Sequence, residues 1–129
     1  MHKIQHVALF AQDNEALADF YKRAFGLVEV KRHAPEGRPD RVGIYLTDGH
    51  INLALLPAGP GRPEGIDHFG FQVDDVEAVR KEVVAAGGTP GSDDLPRDGR
   101  FAEGFVRDPV GDRVDLSVKG WDVQVPKPS

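Results

Sequence analysis

Ile4-Gln5-His6-Val7-Ala8-Leu9-Phe10 recurs as Ile66-Asp67-His68-Phe69-Gly70-Phe71-Gln72, at an offset of 62 residues and with no gap. The same offset pairs Asp13 with Asp75, Glu15 with Glu77, Ala16 with Ala78 and Gly26 with Gly88. Farther on the repeat shortens by one residue. Val42-Gly43-Ile44-Tyr45-Leu46 lies over Glu103-Gly104-Phe105-Val106-Arg107, and Leu53-Ala54-Leu55 over Val114-Asp115-Leu116, at an offset of 61. Self-similarity of that period means two half-domains of one architecture.

Each half reads as strand, helix and three strands. Ile4–Phe10 alternates and predicts a strand. Asp13 or Asn14 caps a helix in which Leu17, Phe20, Tyr21 and Ala24 recur at helical spacing until Gly26 stops it. Leu27–His33 follows as a strand, and Arg41–Leu46 and Ile51–Leu56 form a hairpin around Thr47-Asp48-Gly49. The run Pro57-Ala58-Gly59-Pro60-Gly61-Arg62-Pro63 is a linker, because no regular element survives that density of Pro and Gly. The second half then predicts a strand over Ile66–Val73, a helix capped by Asp74 or Asp75 and running through Ala86, and a short strand at Thr89–Ser92. A loop over 93–100 precedes a last hairpin, Phe101–Arg107 with Arg113–Val118, turning at Asp108-Pro109-Val110-Gly111. The tail from Gly120 frays except where Trp121 anchors it.

These spans predict an α+β fold of two tandem pseudo-symmetric βαβββ modules, about 4–56 and 66–118, forming an open β-cup within one domain. The 129 residues suffice for one core, and 40% apolar with 29% charged residues is a globular composition. No apolar run nears the roughly 20 residues of a membrane helix, and the N-terminus lacks a secretory apolar segment, so a cytoplasmic address is expected. With no cysteine, thiolate ligands, disulfides and cysteine nucleophiles are excluded. A net charge of −5 argues against a nucleic-acid surface. Against that background Lys22, Arg23, Lys31, Arg32, Arg38 and Arg41 form a basic stretch, read either as a solvated rim or as a docking site for an anionic substrate.

Alternation sorts every strand into two faces. Val7 and Leu9, Ile51, Leu53 and Leu55, Phe69, Phe71 and Val73, and Val114, Leu116 and Val118 form apolar faces suited to lie under the helices. The opposite faces carry His6, His68 with Gln72, His50 with Asn52, and Arg113 with Asp115 and Ser117. Two imidazoles and a carboxylate converging on one point would suit a divalent Fe, Mn, Zn or Ni ion and leave coordination positions open. Each also has a plain alternative: a strand histidine can be a surface or hydrogen-bonded residue, and Asp115 can pair with Arg113. His2 and His33 have no repeat partner and read as surface residues.

Ile4-Gln5-His6-Val7, Phe20-Tyr21 with Phe25-Gly26-Leu27, Ile66 to Phe71 with Asp74-Asp75, and Asp108 to Leu116 together resemble the vicinal oxygen chelate superfamily of glyoxalases, bleomycin-resistance proteins and extradiol dioxygenases. The resemblance implies metal ligands at His6, His68 and Asp115, the last where the family usually has Glu. The family's fourth ligand position aligns by the repeat with Ala54, which cannot coordinate. Asn52 or His50 on that strand would have to substitute, or the set has three members. His50, Asn52, Gln72, Arg113 and Ser117 are then the substrate-binding candidates. The implied activity is a divalent-metal lyase, isomerase or dioxygenase acting on a small oxygenated molecule, anionic ones included. Segments 31–41 and the Arg97/Arg100 loop would cover the cup mouth. The alternatives are a non-catalytic drug- or metabolite-binding protein and a relic domain with a partner role. The family also implies a homodimer, with the cup either within the chain or shared between subunits.

Overall fold

The alternating segments become eight strands and two helices in the computed structural model, which describes residues 1–92 and 102–118. They form two compact units, one of residues 6–67 and the other joining residues 1–5 to residues 68–118. Predictions placed on the loop 93–100, on Arg97 and Arg100, and on the tail with Trp121 lie outside the described residues.

In the first unit β1 (Lys3–Ala11), from His6 onward, leads to α1 (Asn14–Phe25), then β2 (Val28–His33), β3 (Gly43–Thr47) and β4 (Asn52–Pro57). The strands run in the order β2-β3-β4-β1, with β1 and β4 parallel and the other pairs antiparallel. Asp13 is the helix cap, its carboxylate accepting the Ala16 N–H at 3.0 Å, which satisfies one of the orphan donors of the first turn. Gly26 ends the helix at φ 71°, a left-handed conformation that a side chain would strain. Leu9, Ile44, Leu46 and Leu55 are buried under α1 together with its Ala18, and Leu17, Tyr21 and Leu27 pack against them. Full burial of such aliphatic side chains is worth about 1.5–3 kcal/mol each. Asn14 does something the sequence did not suggest. It is buried, and its Nδ2 donates to the carbonyls of Val42 at 2.7 Å and Leu55 at 3.0 Å, tying the helix start to the strands.

The basic stretch is largely neutralised within this unit. Arg32 binds both Glu15 and Glu29, and Lys22 Nζ lies 2.8 Å from Glu29 Oε1. Arg38 pairs with Asp40 at 3.6 Å, and Arg41 donates to the Pro57 carbonyl at 3.4 Å. The hydrogen bonds from Arg32, then Lys22, hold the Glu29 carboxyl down at about 2 against an ordinary 4.5. A depressed folded-state value stabilises the fold above pH 4.5, and that contribution is lost as pH falls toward 2. Glu29 is partly exposed, so solvent screening limits the effect to about 1 kcal/mol. Urea midpoints measured at pH 6 and pH 3 should therefore diverge more for the wild type than for Glu29→Gln; equal divergence would show the cluster is energetically silent.

The second unit repeats the plan with β5 (Gly65–Gln72), α2 (Val76–Ala85), β6 (Thr89–Ser92), β7 (Gly104–Arg107) and β8 (Arg113–Ser117), in the strand order β5-β8-β7-β6. Asp75 caps α2 by accepting the Ala78 N–H at 3.1 Å. Val73, Val106, Val114 and Leu116 form its core, flanked by Phe69, Phe71, Val76, Val79 and Val83. No residue of α2 is fully buried, whereas α1 buries Ala18 and Asn14.

The backbone corrects the repeat alignment at two points. Ile44 faces Leu55 and Leu46 faces Leu53, whereas Gly104 faces Leu116 and Val106 faces Val114. The third strands therefore match at an offset of 60, not 61: Gly104 stands in the place of Ile44 and Val106 in that of Leu46. Matching Gly43 to Gly104 by identity slipped the strand one residue, and one residue exchanges its faces. Similarly, Gly87 (φ 99°) rather than Gly88 is the left-handed counterpart of Gly26. Leu27 donates its N–H to the Tyr21 carbonyl, and Gly88 donates its own to the equivalent Val83 carbonyl. Gly88 is thus the counterpart of Leu27.

Candidate metal and substrate site

The polar face of the second unit follows from its register. Parallel pairing sets Gly70 beside Asp115 and Gln72 beside Ser117, so His68, Asp115 and Ser117 alternate with the apolar Phe69, Val114 and Leu116. His68 and Asp115 come together. The imidazole Nε2 lies 3.1 Å from Asp115 Oδ2, and each side chain is 7% exposed. The other carboxylate oxygen, Oδ1, accepts from Arg113 Nε at 2.8 Å. Arg113 is itself held over the Phe105 ring, 4.9 Å from its centroid, a cation–π contact. Its Nη2 is buried and has no hydrogen-bond partner.

Phe105 was missed by the sequence reading. The signal was present: at the corrected offset it stands opposite Asp115, on the polar face. Ser117 is buried and Gln72 exposed, at the end of the strand pair.

In the first unit His6 is buried on β1, in register with Asn52 of β4. Asn52 is wholly inaccessible, yet neither its amide nitrogen nor its oxygen has a hydrogen-bond partner. Leaving both ends of a buried amide unmade costs roughly 1–3 kcal/mol per group, so such a residue invites a functional explanation. Ala54 shares the strand face with Asn52, opposite Ala8 and Tyr45. His50 sits elsewhere, exposed in the β3–β4 turn, with its backbone N–H on Asp48 Oδ1 at 2.8 Å. His2 is at the surface as expected, but His33 is half-buried and its Nε2 is enclosed without a partner.

The arrangement on β5 and β8 fits a divalent ion. Two ligand atoms about 2.1 Å from one ion at adjacent octahedral corners stand roughly 3.0 Å apart. That is close to the 3.1 Å separation of Nε2 and Oδ2. Arg113 holds Oδ1 while Oδ2 faces His68, the kind of outer partner that fixes a ligating carboxylate.

Residues 3–116 match the profile of the Glyoxalase/Bleomycin resistance protein/Dioxygenase superfamily. The chain belongs to that family. CFP32 of Mycobacterium bovis, whose name marks it as a glyoxylase candidate, is 33% identical over 118 residues, 85% of this chain. This chain spans only 43% of the length of CFP32. An ethylmalonyl-CoA/methylmalonyl-CoA epimerase of Cereibacter sphaeroides is 33% identical over 98 residues, covering 66% of this chain and 71% of the epimerase. Among solved structures, a methylmalonyl-CoA epimerase bound to methylmalonyl-CoA has a TM-score of 0.65 at 21% identity, over 98% of this chain and 99% of that one. A mutant 4-hydroxymandelate synthase from Streptomyces coelicolor gives 0.70 at 22%, over 89% and 36%. Both share the fold of two βαβββ modules predicted from the repeat, which the resemblance identified as glyoxalase-type. Among the described residues no helix is long and apolar enough to cross a membrane.

Proposed function

We propose that this chain is a divalent-metal-dependent enzyme in which His6, His68 and Asp115 hold the ion and a small substrate chelates it through two adjacent oxygens. The observation that carries the reading is the buried His68–Asp115 pair with its second carboxylate oxygen fixed by Arg113. Membership of a family whose relatives include epimerases supports metal chemistry in general terms. The equivalent strand position of His6, buried beside the unsatisfied Asn52, supports its inclusion as the third ligand.

A bound ion would supply Lewis acidity, stabilising negative charge that develops on a chelated oxygen. The protein's own groups would do the rest. Arg113 is anchored by Asp115 and Phe105, and its enclosed Nη2 would reach an anionic or carbonyl oxygen only once the site opens. The enclosed Asn52 amide would likewise need that opening to give its donor and acceptor to a hydroxyl or carbonyl. Such a partner pair discriminates strongly against analogues lacking the matching group, because the buried amide is then left unpaired.

Elemental analysis of protein purified without chelator, then anaerobic reconstitution with Fe(II), Mn(II) and Zn(II), tests the reading. About one ion per chain is expected, with Fe(II) or Mn(II) supporting activity at least as well as Zn(II). Failure to bind any of the three ions stoichiometrically would leave the non-catalytic binding protein as the better description.

A further inference from the structure

The second unit contains a cavity of about 410 Å³ on the face away from His68 and Asp115. Its walls are Phe69 and Phe71 of β5, Val79 and Val83 of α2, Val106 of β7 and Leu116 of β8, with Gly88 beside them. The surface they present is almost wholly apolar; His2, Arg107 and Asp108 are the polar or charged residues among the lining. The Arg107 guanidinium is engaged, its Nη1 donating to the Gly111 carbonyl at 3.0 Å.

This space is written into the sequence, and the first unit shows how. There Tyr21 and Leu27 close the core at the C-terminal end of α1, with Leu46 beneath. Their counterparts are Val83, Gly88 and Val106. A phenol ring becomes an isopropyl group, a leucine side chain is deleted, and a methylene is removed. The enlargement of Val7 to Phe69 and of Leu9 to Phe71 lies on the neighbouring strand and does not refill that end. Nor can Gly88 regain a side chain cheaply: a Cβ there would stand 2.6 Å from both Val83 Cγ1 and the Arg107 carbonyl oxygen. The gap is therefore a local change in a repeated design.

Its apolar walls give water few hydrogen-bond partners, so an apolar occupant would displace it readily. A volume of this size with apolar walls is that of a small-ligand pocket. We propose that the cavity is a binding site for a small uncharged apolar molecule, an aromatic ring or a short hydrocarbon chain. Its occupant would lie against Phe69, Phe71 and Leu116, which alternate along β5 and β8 with His68 and Asp115. Filling it would steady the backbone from which those two side chains project. The proposal is independent of the metal reading.

The test uses para-xylene with the full chain, followed by saturation-transfer NMR and thermal unfolding. Wild type should bind saturably and gain in Tm as xylene is added. Val83→Phe, which refills the space, should weaken xylene binding at least tenfold and raise the Tm of the ligand-free protein. Val106→Leu, restoring the residue of the first unit, should weaken binding to a lesser degree and decides the matter should Val83→Phe fail to fold. Absence of saturable binding by the wild type, or undiminished binding by a folded Val83→Phe or Val106→Leu variant, would overturn the proposal.

Discussion

Substituting His68 by Ala should strip the protein of stoichiometric metal, lowering affinity by more than about a hundredfold, since disturbing even the outer partners of metal ligands costs 10–100-fold. The substitution removes a donor atom 3.1 Å from Asp115 Oδ2 while leaving Oδ1 on Arg113 Nε, so the carboxylate keeps its charge partner and the strand its register. Circular dichroism should accordingly show a folded protein. His50→Ala is the control: that side chain is exposed in a turn and should leave metal content untouched. Arg113→Gln should fall between the two, because it frees the carboxylate to rotate without deleting a ligand. Full metal occupancy in His68→Ala, measured by elemental analysis, would place any ion elsewhere in the molecule.

Why His68 and Asp115 could be placed on one face in advance is clear from the strands that carry them. Alternation with Phe69, Phe71, Val114 and Leu116 fixes which face each side chain takes, and parallel pairing then makes neighbours of residues far apart in sequence. Capping by Asp13 and Asp75 was legible for a similar reason, as it depends on a few adjacent residues. Register between distant strands was not. Gly43 and Gly104 matched by identity, yet the ladder places Gly104 opposite Leu116 where Ile44 stands opposite Leu55. Phe105 therefore went unnoticed as the platform for Arg113, and the shrunken core under α2 went unnoticed with it. Arg113 was legible as a polar-face residue, but its bond to Asp115 depends on rotamers that no pattern encodes. The basic stretch around residues 22–41 was open to two readings, and counting charges could not show that Glu15 and Glu29 fold against Arg32 and Lys22.

Ala54→Glu should have the largest effect on metal affinity in the tightening direction, because it would place a carboxylate at the strand position that the repeat alignment equates with a fourth ligand. Ala54 is 3% exposed and shares its face with Asn52, directly across from Ala8 and Tyr45. A carboxylate buried there without a counter-charge is costly, and desolvation drives its pKa upward. The ligand-free variant should therefore be less stable than wild type by several kcal/mol, within the range for an unpaired buried charge. Coordination would relieve that cost, so metal should raise the Tm of the variant far more than that of the wild type. An ion held by three protein side chains would leave more room for substrate and a further small molecule than one held by four. Activity supported by Fe(II) or Mn(II) should fall in the variant even as the ion binds about tenfold more tightly. The alternative is that Asn52, buried and unsatisfied beside His6, already occupies the fourth position. Asn52→Ala would then lower metal affinity, and Ala54→Glu would bring little gain. The two variants, titrated with the same ion, distinguish a substrate-facing Asn52 from a ligating one.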